Sequence, residues 1–218
     1  MQVYRLFSVP FLHFKLSTHG NYVFNYPESG QLVNNKPTSW VGALHTTFPY
    51  AEGDDFISKE QVESLKADIF NEIQVAFLHL NLSCKFWIDE FWYNIYDKGF
   101  GQELHDHLSD TPADDPLWSG VYYHKNCNVV PTVFSRSGSE YRSQVFDGCE
   151  NSEISDCFRQ RWNPEVSDGD IVLFPPYLLH YVHCDFEDSA ERVTFSFNVK
   201  RSSVDSQTGG TQPPEMPF

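Results

Sequence analysis

Three histidines, His105, His107 and His180, are the residues of this sequence best placed to do chemistry. The first two lie in Asn94-Ile-Tyr96-Asp-Lys-Gly99-Phe-Gly-Gln-Glu-Leu-His105-Asp-His107. Side chains at i and i+2 of a strand share one face. His180 closes the run Gly169-Asp170-Ile-Val-Leu-Phe174-Pro175-Pro176-Tyr-Leu-Leu-His180, which reads as a buried strand, a proline-fixed turn and a histidine opening a new strand. Neutral imidazole donates a lone pair at neutral pH. Three protein ligands leave coordination positions open for chemistry, whereas a closed four-ligand site is usually structural. The expectation is a mononuclear metal centre, read as Fe(II), with room for a co-substrate and oxygen beside it. The competing reading is a pair of exposed histidines in an acidic loop, since the chain has nine histidines. The strand, turn and histidine that deliver His180 weigh against it.

The elements that must position these residues are mostly strands. Short apolar and aromatic runs at 3–7, 11–16, 85–96, 102–107, 118–125, 143–146, 170–174, 179–184 and 191–200 are separated by Gly, Pro and Asp. Many short strands with turn signals between them predict a β-sandwich or barrel. Residues 17–57 are polar and loop-rich, and 126–168 read as a strand or two plus an extended loop near the site mouth. One helix is predicted over 59–80. Ser58 and Gln61 form a capping-box pattern, and Val62, Leu65, Ile69, Ile73, Ala76, Phe77 and Leu80 then recur at helical spacing. Its expected role is to cover a sheet. Residues 1–200 read as one domain with its core in 84–200, and 201–218 as a flexible tail poor in core-forming residues.

Composition narrows the function. A chain of 218 residues, 40% hydrophobic and 16% aromatic with 19 Phe, can fill one large ring-rich core. A net charge of −15 argues against a nucleic-acid partner, because phosphate binding relies on Lys and Arg clusters. It favours a small-molecule or polypeptide substrate. Five scattered cysteines (Cys84, Cys127, Cys149, Cys157 and Cys184), with no Cys-x-x-Cys pair, read as reduced thiols rather than a disulfide framework or zinc ribbon. The N-terminal apolar run is broken by Pro10, His13 and Lys15, and no window has the length of a membrane span. A soluble, cytoplasmic protein with no membrane association is expected.

The constellation resembles the 2-oxoglutarate- and Fe(II)-dependent oxygenases, which carry a His-x-Asp/Glu…His triad on a double-stranded β-helix. The spacing from Asn94 through Tyr96 to His105 is similar to the AlkB-type branch, where the Asn and Tyr contact the co-substrate. Trp92-x-Asn94, Trp118-Ser-Gly-Val-Tyr-Tyr123, Phe174-Pro175…His180-x-Val182 and Arg192-Val-Thr-Phe-Ser-Phe-Asn198 resemble a 2-oxoglutarate/Fe(II) oxygenase family of marine bacteria and their phages. The resemblance spans roughly residues 86–200. It implies a mainly β jelly-roll with one long N-terminal supporting helix. It implies metal ligation by His105, His107 and His180, and co-substrate binding by Asn94, Tyr96, Arg192 and Thr194. Arg192 would clamp the distal carboxylate of 2-oxoglutarate, for which a planar, permanently charged guanidinium is suited. Alternation along 191–200 gives only the period, so the inward facing of Arg192 rests on the resemblance. The competing reading is a surface arginine paired with Glu191 or Asp188.

This chain departs from the family pattern at His107, which stands where a carboxylate is usual. Strand alternation would turn Asp106 away from the shared face, and Asp110 would reach the metal only if the strand ended early. Imidazole in place of carboxylate leaves one more positive charge, which a dianionic co-substrate would offset. Either Tyr122 or Tyr123 lines the pocket. His13, His19, His45, His79, His124 and His183 read as rim residues. The implied reaction couples Fe(II), O2 and 2-oxoglutarate to hydroxylation of a small molecule or of a protein side chain such as proline. Two alternatives stand beside it. One is a cupin-type metal enzyme without 2-oxoglutarate, since Gly99 to His107 fits half of that motif. The other is a non-catalytic jelly-roll, such as a phage accessory protein.

Overall fold

The computed structural model describes residues 9–26, 34–49, 56–125, 131–136, 161–183 and 191–202. In chain order the elements are β1 (Leu12–Lys15), β2 (His45–Thr46), α1 (Lys59–His79), β3 (Phe86–Tyr96), β4 (Gln102–His105), β5 (Trp118–Lys125), β6 (Thr132–Ser135), β7 (Arg161–Trp162), β8 (Asp170–Phe174), β9 (His180–Val182) and β10 (Arg192–Arg201). A six-stranded sheet runs β1-β8-β5-β10-β3-β2 and a four-stranded sheet runs β4-β9-β6-β7. Every pairing is antiparallel. The fold is thus mainly β, with one long helix among the described residues. The expected strands at 3–7 and 143–146, four of the cysteines (Cys127, Cys149, Cys157 and Cys184) and the tail from 203 lie outside the described residues. No helix among the described residues is long and apolar enough to cross a membrane.

Helix α1 begins where the capping residues dictate. The Ser58 hydroxyl accepts from the Gln61 N–H at 3.3 Å, and the Gln61 side-chain oxygen accepts from the Ser58 N–H at 3.2 Å. Its buried stripe, Val62, Leu65, Ile69, Ile73 and Phe77, packs with Ile88, Phe91, Tyr93 and Ile95 of β3 and Val193, Phe195, Phe197 and Val199 of β10. One face of the large sheet is therefore covered by the helix. The opposite face, with Val121, Tyr123, Val172 and Phe174, packs with Phe134 of the small sheet. Strand β10 is buried on both faces from Arg192 to Val199, so each side chain in that stretch has an interior environment.

Two glycines serve this layering, one in a turn and one at a close approach. Gly99 adopts φ +77 in the turn between β3 and β4, a conformation that costs glycine little, and Phe100 N–H closes that turn on the Asp97 carbonyl at 2.8 Å. Gly120 of β5 lies opposite Phe197, and a Cβ there would meet two Phe197 ring carbons at 2.3 Å and Leu173 Cδ2 at 2.8 Å. Gly120→Ala is expected to lower stability by about 1–3 kcal/mol through overpacking. Urea unfolding measures this, and an unchanged midpoint would mean that the Phe197 ring moves aside without cost.

Candidate metal centre

His105 ends β4 and His180 begins β9, and the two are direct cross-strand partners. Opposed side chains on antiparallel strands are held close, and their ring centroids are 4.2 Å apart. His107 arrives by a different route. Because β4 stops at His105, strand alternation does not aim His107, contrary to the i, i+2 expectation. Instead its backbone N–H donates to the Pro176 carbonyl at 2.8 Å, which ties it to the proline turn that precedes His180. Its ring lies 5.6 Å from that of His105 and 5.1 Å from that of His180. One ligand nitrogen from each of the three lies within 4.8 Å of the others, and together they could hold a metal ion. Asp106 and Asp110 are exposed, and Asp106 accepts from the Leu108 N–H at 3.2 Å. Neither belongs to the cluster, although the strand does end early.

The hydrogen bonds select the tautomer of all three rings. His105 Nδ1 lies 2.7 Å from the Glu103 carbonyl, His180 Nδ1 2.9 Å from the Leu178 carbonyl, and His107 Nδ1 2.9 Å from Asn198 Oδ1. Carbonyl and amide oxygens only accept, so each Nδ1 carries the proton and each Nε2 keeps a lone pair. Burial reinforces neutrality. It lowers the pKa of His107 to about 4 and that of His180 well below the ordinary histidine range, with the neighbouring histidines adding to both shifts. His105 is also lowered, chiefly by burial, against the Glu103 carbonyl and carboxylate that favour its charged form. Phe174 and Phe134 wall the site, 4.9 and 5.6 Å from the His180 ring.

Polar residues of the large sheet face this cluster. Arg192, Thr194, Ser196 and Asn198 alternate with the apolar residues that meet α1, and all four are buried. Arg192 is 1% exposed. Its Nη2 donates to Thr132 Oγ1 at 2.8 Å, and its guanidinium carbon lies 4.7 Å from the Tyr96 ring centroid and 5.7 Å from that of Tyr123. Among the described residues its Nε and Nη1 have no partner, and both are buried. Thr194 lies in register between Asn94 and Tyr123. The Asn94 amide is engaged within the sheet, accepting from Thr46 Oγ1 at 2.7 Å and donating to Ser196 Oγ at 3.1 Å. Tyr96 donates its hydroxyl to Gln102 Oε1 at 3.1 Å.

The register separates the two tyrosines. Tyr123 turns to the Arg192 side, where its hydroxyl donates to Thr132 Oγ1 at 3.2 Å. Tyr122 turns to the helix side, 2.6 Å from His19 Nδ1 and 3.1 Å from His124 Nδ1. Two supposed rim histidines are interior ones. His124 is buried, which lowers its pKa to about 3, and buried His45 stacks near Tyr93. Reading the sequence assigned no role to Thr132, Ser119, Glu90 or Asn198. The signal available for Asn198 was its place as the last polar alternate of β10. The groups present suit a metal and a dicarboxylate: three convergent lone pairs for the first, an under-bonded buried guanidinium for the second.

A family match agrees with this chemistry. Residues 90–198 match the model of a family described as "Putative 2OG-Fe(II) oxygenase". No curated protein matches the chain. Among solved structures, HygX from Streptomyces hygroscopicus with nickel and 2-oxoglutarate bound is 11% identical, with TM-score 0.52 over 89% of this chain and 84% of that one. A 2OG-Fe(II) oxygenase family oxidoreductase from Burkholderia pseudomallei is 12% identical, with TM-score 0.48 over 80% and 77%. A prolyl-4-hydroxylase from Pseudomonas putida is 15% identical, with TM-score 0.45 over 80% and 79%. At such identities the likeness to HygX is one of fold. The family match extends over half of the 218 residues, so the chain belongs to the 2-oxoglutarate- and Fe(II)-dependent oxygenases, enzymes that use Fe(II), 2-oxoglutarate and O2.

Proposed function

We propose that His105, His107 and His180 are the iron ligands, that Arg192 pairs with the distal carboxylate of 2-oxoglutarate, and that the enzyme hydroxylates a small molecule or a polypeptide side chain. The observation that carries this reading is the Arg192 guanidinium, buried yet unpaired at two nitrogens among the described residues. A buried charge short of partners is costly, and a carboxylate accepting from the Nη1 edge of the guanidinium would relieve part of that cost. A cupin-type enzyme has no use for such a group. Bound iron, 2-oxoglutarate and O2 supply the oxidant for a substrate C–H bond, with succinate and CO2 as co-products. The chain's own residues set the geometry. The backbone carbonyls of Glu103 and Leu178 hold the His105 and His180 rings, while Thr132 and the Tyr96 and Tyr123 rings hold the guanidinium. Asn94 and Thr194 complete the co-substrate wall, and Phe134 and Phe174 keep water from the centre. The net charge of −15 supports a neutral or basic substrate over nucleic acid.

Adding 2-oxoglutarate to the anaerobic Fe(II) protein is expected to produce the weak visible metal-to-ligand absorption of the chelate. Without that band the co-substrate assignment falls. Arg192→Ala should weaken 2-oxoglutarate binding by roughly one to two orders of magnitude, since hydrogen bonds to charged groups contribute roughly 1.5–3 kcal/mol. Arg192→Lys should recover part of the loss, and both should keep metal. Equal titrations for wild type and Arg192→Ala would remove the clamp.

His105→Ala and His180→Ala are each expected to lose tight metal binding while remaining folded, whereas His107→Asp should retain iron and turnover. Elemental analysis after purification tests all three, and full metal occupancy in His105→Ala or His180→Ala would remove the site. Acid should act in a defined window. The depressed histidine pKa values leave the folded metal-free protein neutral at the centre where the unfolded chain already protonates. Stability of the metal-free protein is therefore expected to fall as pH drops from about 6.5 towards 4, by up to about 1.4 kcal/mol per pH unit for each such histidine. Thermal melts across that range check it, and a flat profile would contradict neutral burial.

A further inference from the structure

His105 and His180 are each held by a carbonyl two residues back in their own strand region, whereas His107 is held by a side chain from the opposite sheet. That side chain is itself fixed. Asn198 Oδ1 receives His107 Nδ1 at 2.9 Å and the Ser119 hydroxyl at 2.9 Å, and Asn198 Nδ2 donates to Glu90 Oε2 at 2.5 Å. Asn198 is 5% exposed and Ser119 fully buried, while Glu90 is half-buried on β3.

The logic of donors and acceptors runs one way along this chain. A carboxylate only accepts, so the Asn198 amide must turn its NH2 towards Glu90 and its oxygen towards His107. An amide oxygen only accepts, so His107 must carry its proton on Nδ1 and leave Nε2 bare. We infer that Glu90 and Asn198 are positioning residues that set the ligand tautomer of His107, with the Glu90 carboxylate supplying, two hydrogen bonds away, the anionic influence that a carboxylate ligand would supply directly. Partners of this kind orient a metal-bound imidazole and raise its basicity. Because His107 sits beyond the end of β4, Asn198 also gives its ring the fixed orientation that a strand would otherwise provide.

The inference rests on His107 being a ligand, and two measurements on the full chain separate the two ideas. In the metal-free protein labelled with 15N-histidine, long-range proton–nitrogen correlation spectra report which nitrogen of His107 carries the proton. Wild type is expected to show Nδ1–H. Glu90→Leu and Asn198→Leu should populate Nε2–H and bind Co(II), titrated alone against a chromophoric chelator, about 10–100-fold more weakly. Glu90→Gln keeps an acceptor for Asn198 Nδ2, so it should hold the Nδ1–H tautomer and lose less affinity than Glu90→Leu. Glu90 lies at a half-buried position, so its two variants carry the test even where Asn198→Leu fails to fold. Wild-type tautomer and wild-type Co(II) affinity in Glu90→Leu would overturn the relay, as would a Glu90→Gln protein as impaired as Glu90→Leu. If His107→Ala binds Co(II) as tightly as wild type, the ligand assignment itself fails. If His107→Ala binds weakly while the Glu90 variants do not, only the relay fails.

Discussion

Strand β10 is the constraint on which the rest depends, because it is buried on both faces and each face has a different solvent. Val193, Phe195, Phe197 and Val199 meet the apolar stripe of α1, and that contact fixes the rotation of the strand. Its alternates Arg192, Thr194, Ser196 and Asn198 then have no choice but to enter the space between the sheets. Polar groups there need partners, and most of that need is met within the protein: Arg192 Nη2 on Thr132, Ser196 on Asn94, Asn198 on His107, Ser119 and Glu90. A slip of one residue would exchange these faces, setting the guanidinium against the helix and phenylalanines against the histidines. Packing on one side of the strand thus orients the polar side chains on the other.

Charge is distributed to match. The three imidazoles are neutral, so a divalent ion among them would keep its full charge, and Arg192 adds another. In a low-dielectric interior such charges interact strongly, and on the proposed reading a dianion between iron and guanidinium is the natural complement. Until it arrives, the guanidinium rests against the Tyr96 and Tyr123 rings, whose faces attract a cation. The aromatic richness of the sequence thereby has a role beyond filling volume.

How far the sequence disclosed this varies by residue. The helix was legible because its capping pair and its stripe are local, and both lie where the spacing indicates. The long strands were legible to within a residue or two. Strand β2 was not, because it has two residues and owes its existence to a distant partner, and β6 and β7 were foreseen only as a strand or two somewhere in 126–168. The three histidines were legible as a set, but the aim of His107 was inferred from strand alternation, and the strand stops short of it. What turns it inward is a hydrogen bond to Pro176, a contact across 69 positions that no local pattern encodes. The facing of Arg192 was ambiguous for a related reason: alternation gives a period of two, and only the position of α1 decides which phase meets the helix. His45 and His124 were read as polar and peripheral, yet histidine is readily buried when neutral, and burial holds His124 neutral.

The anchoring of the three imidazoles also bears on how the two sheets are joined. His105 and His180 belong to the small sheet and take their orientation from it. His107 follows the end of β4, yet its ring is gripped by Asn198 of the large sheet. A metal bound by all three would therefore connect the small sheet, through His107 and Asn198, to β3, β5 and β10. Binding energy at such a site is shared with the fold, because a ligand that binds only the assembled state stabilises that state. The cluster sits at a seam where His105 and His180 lie on short strands of four and three residues, which have little pairing of their own to resist separation. On the proposed reading, the same three nitrogens that would organise the chemistry would also hold closed that edge of the sandwich.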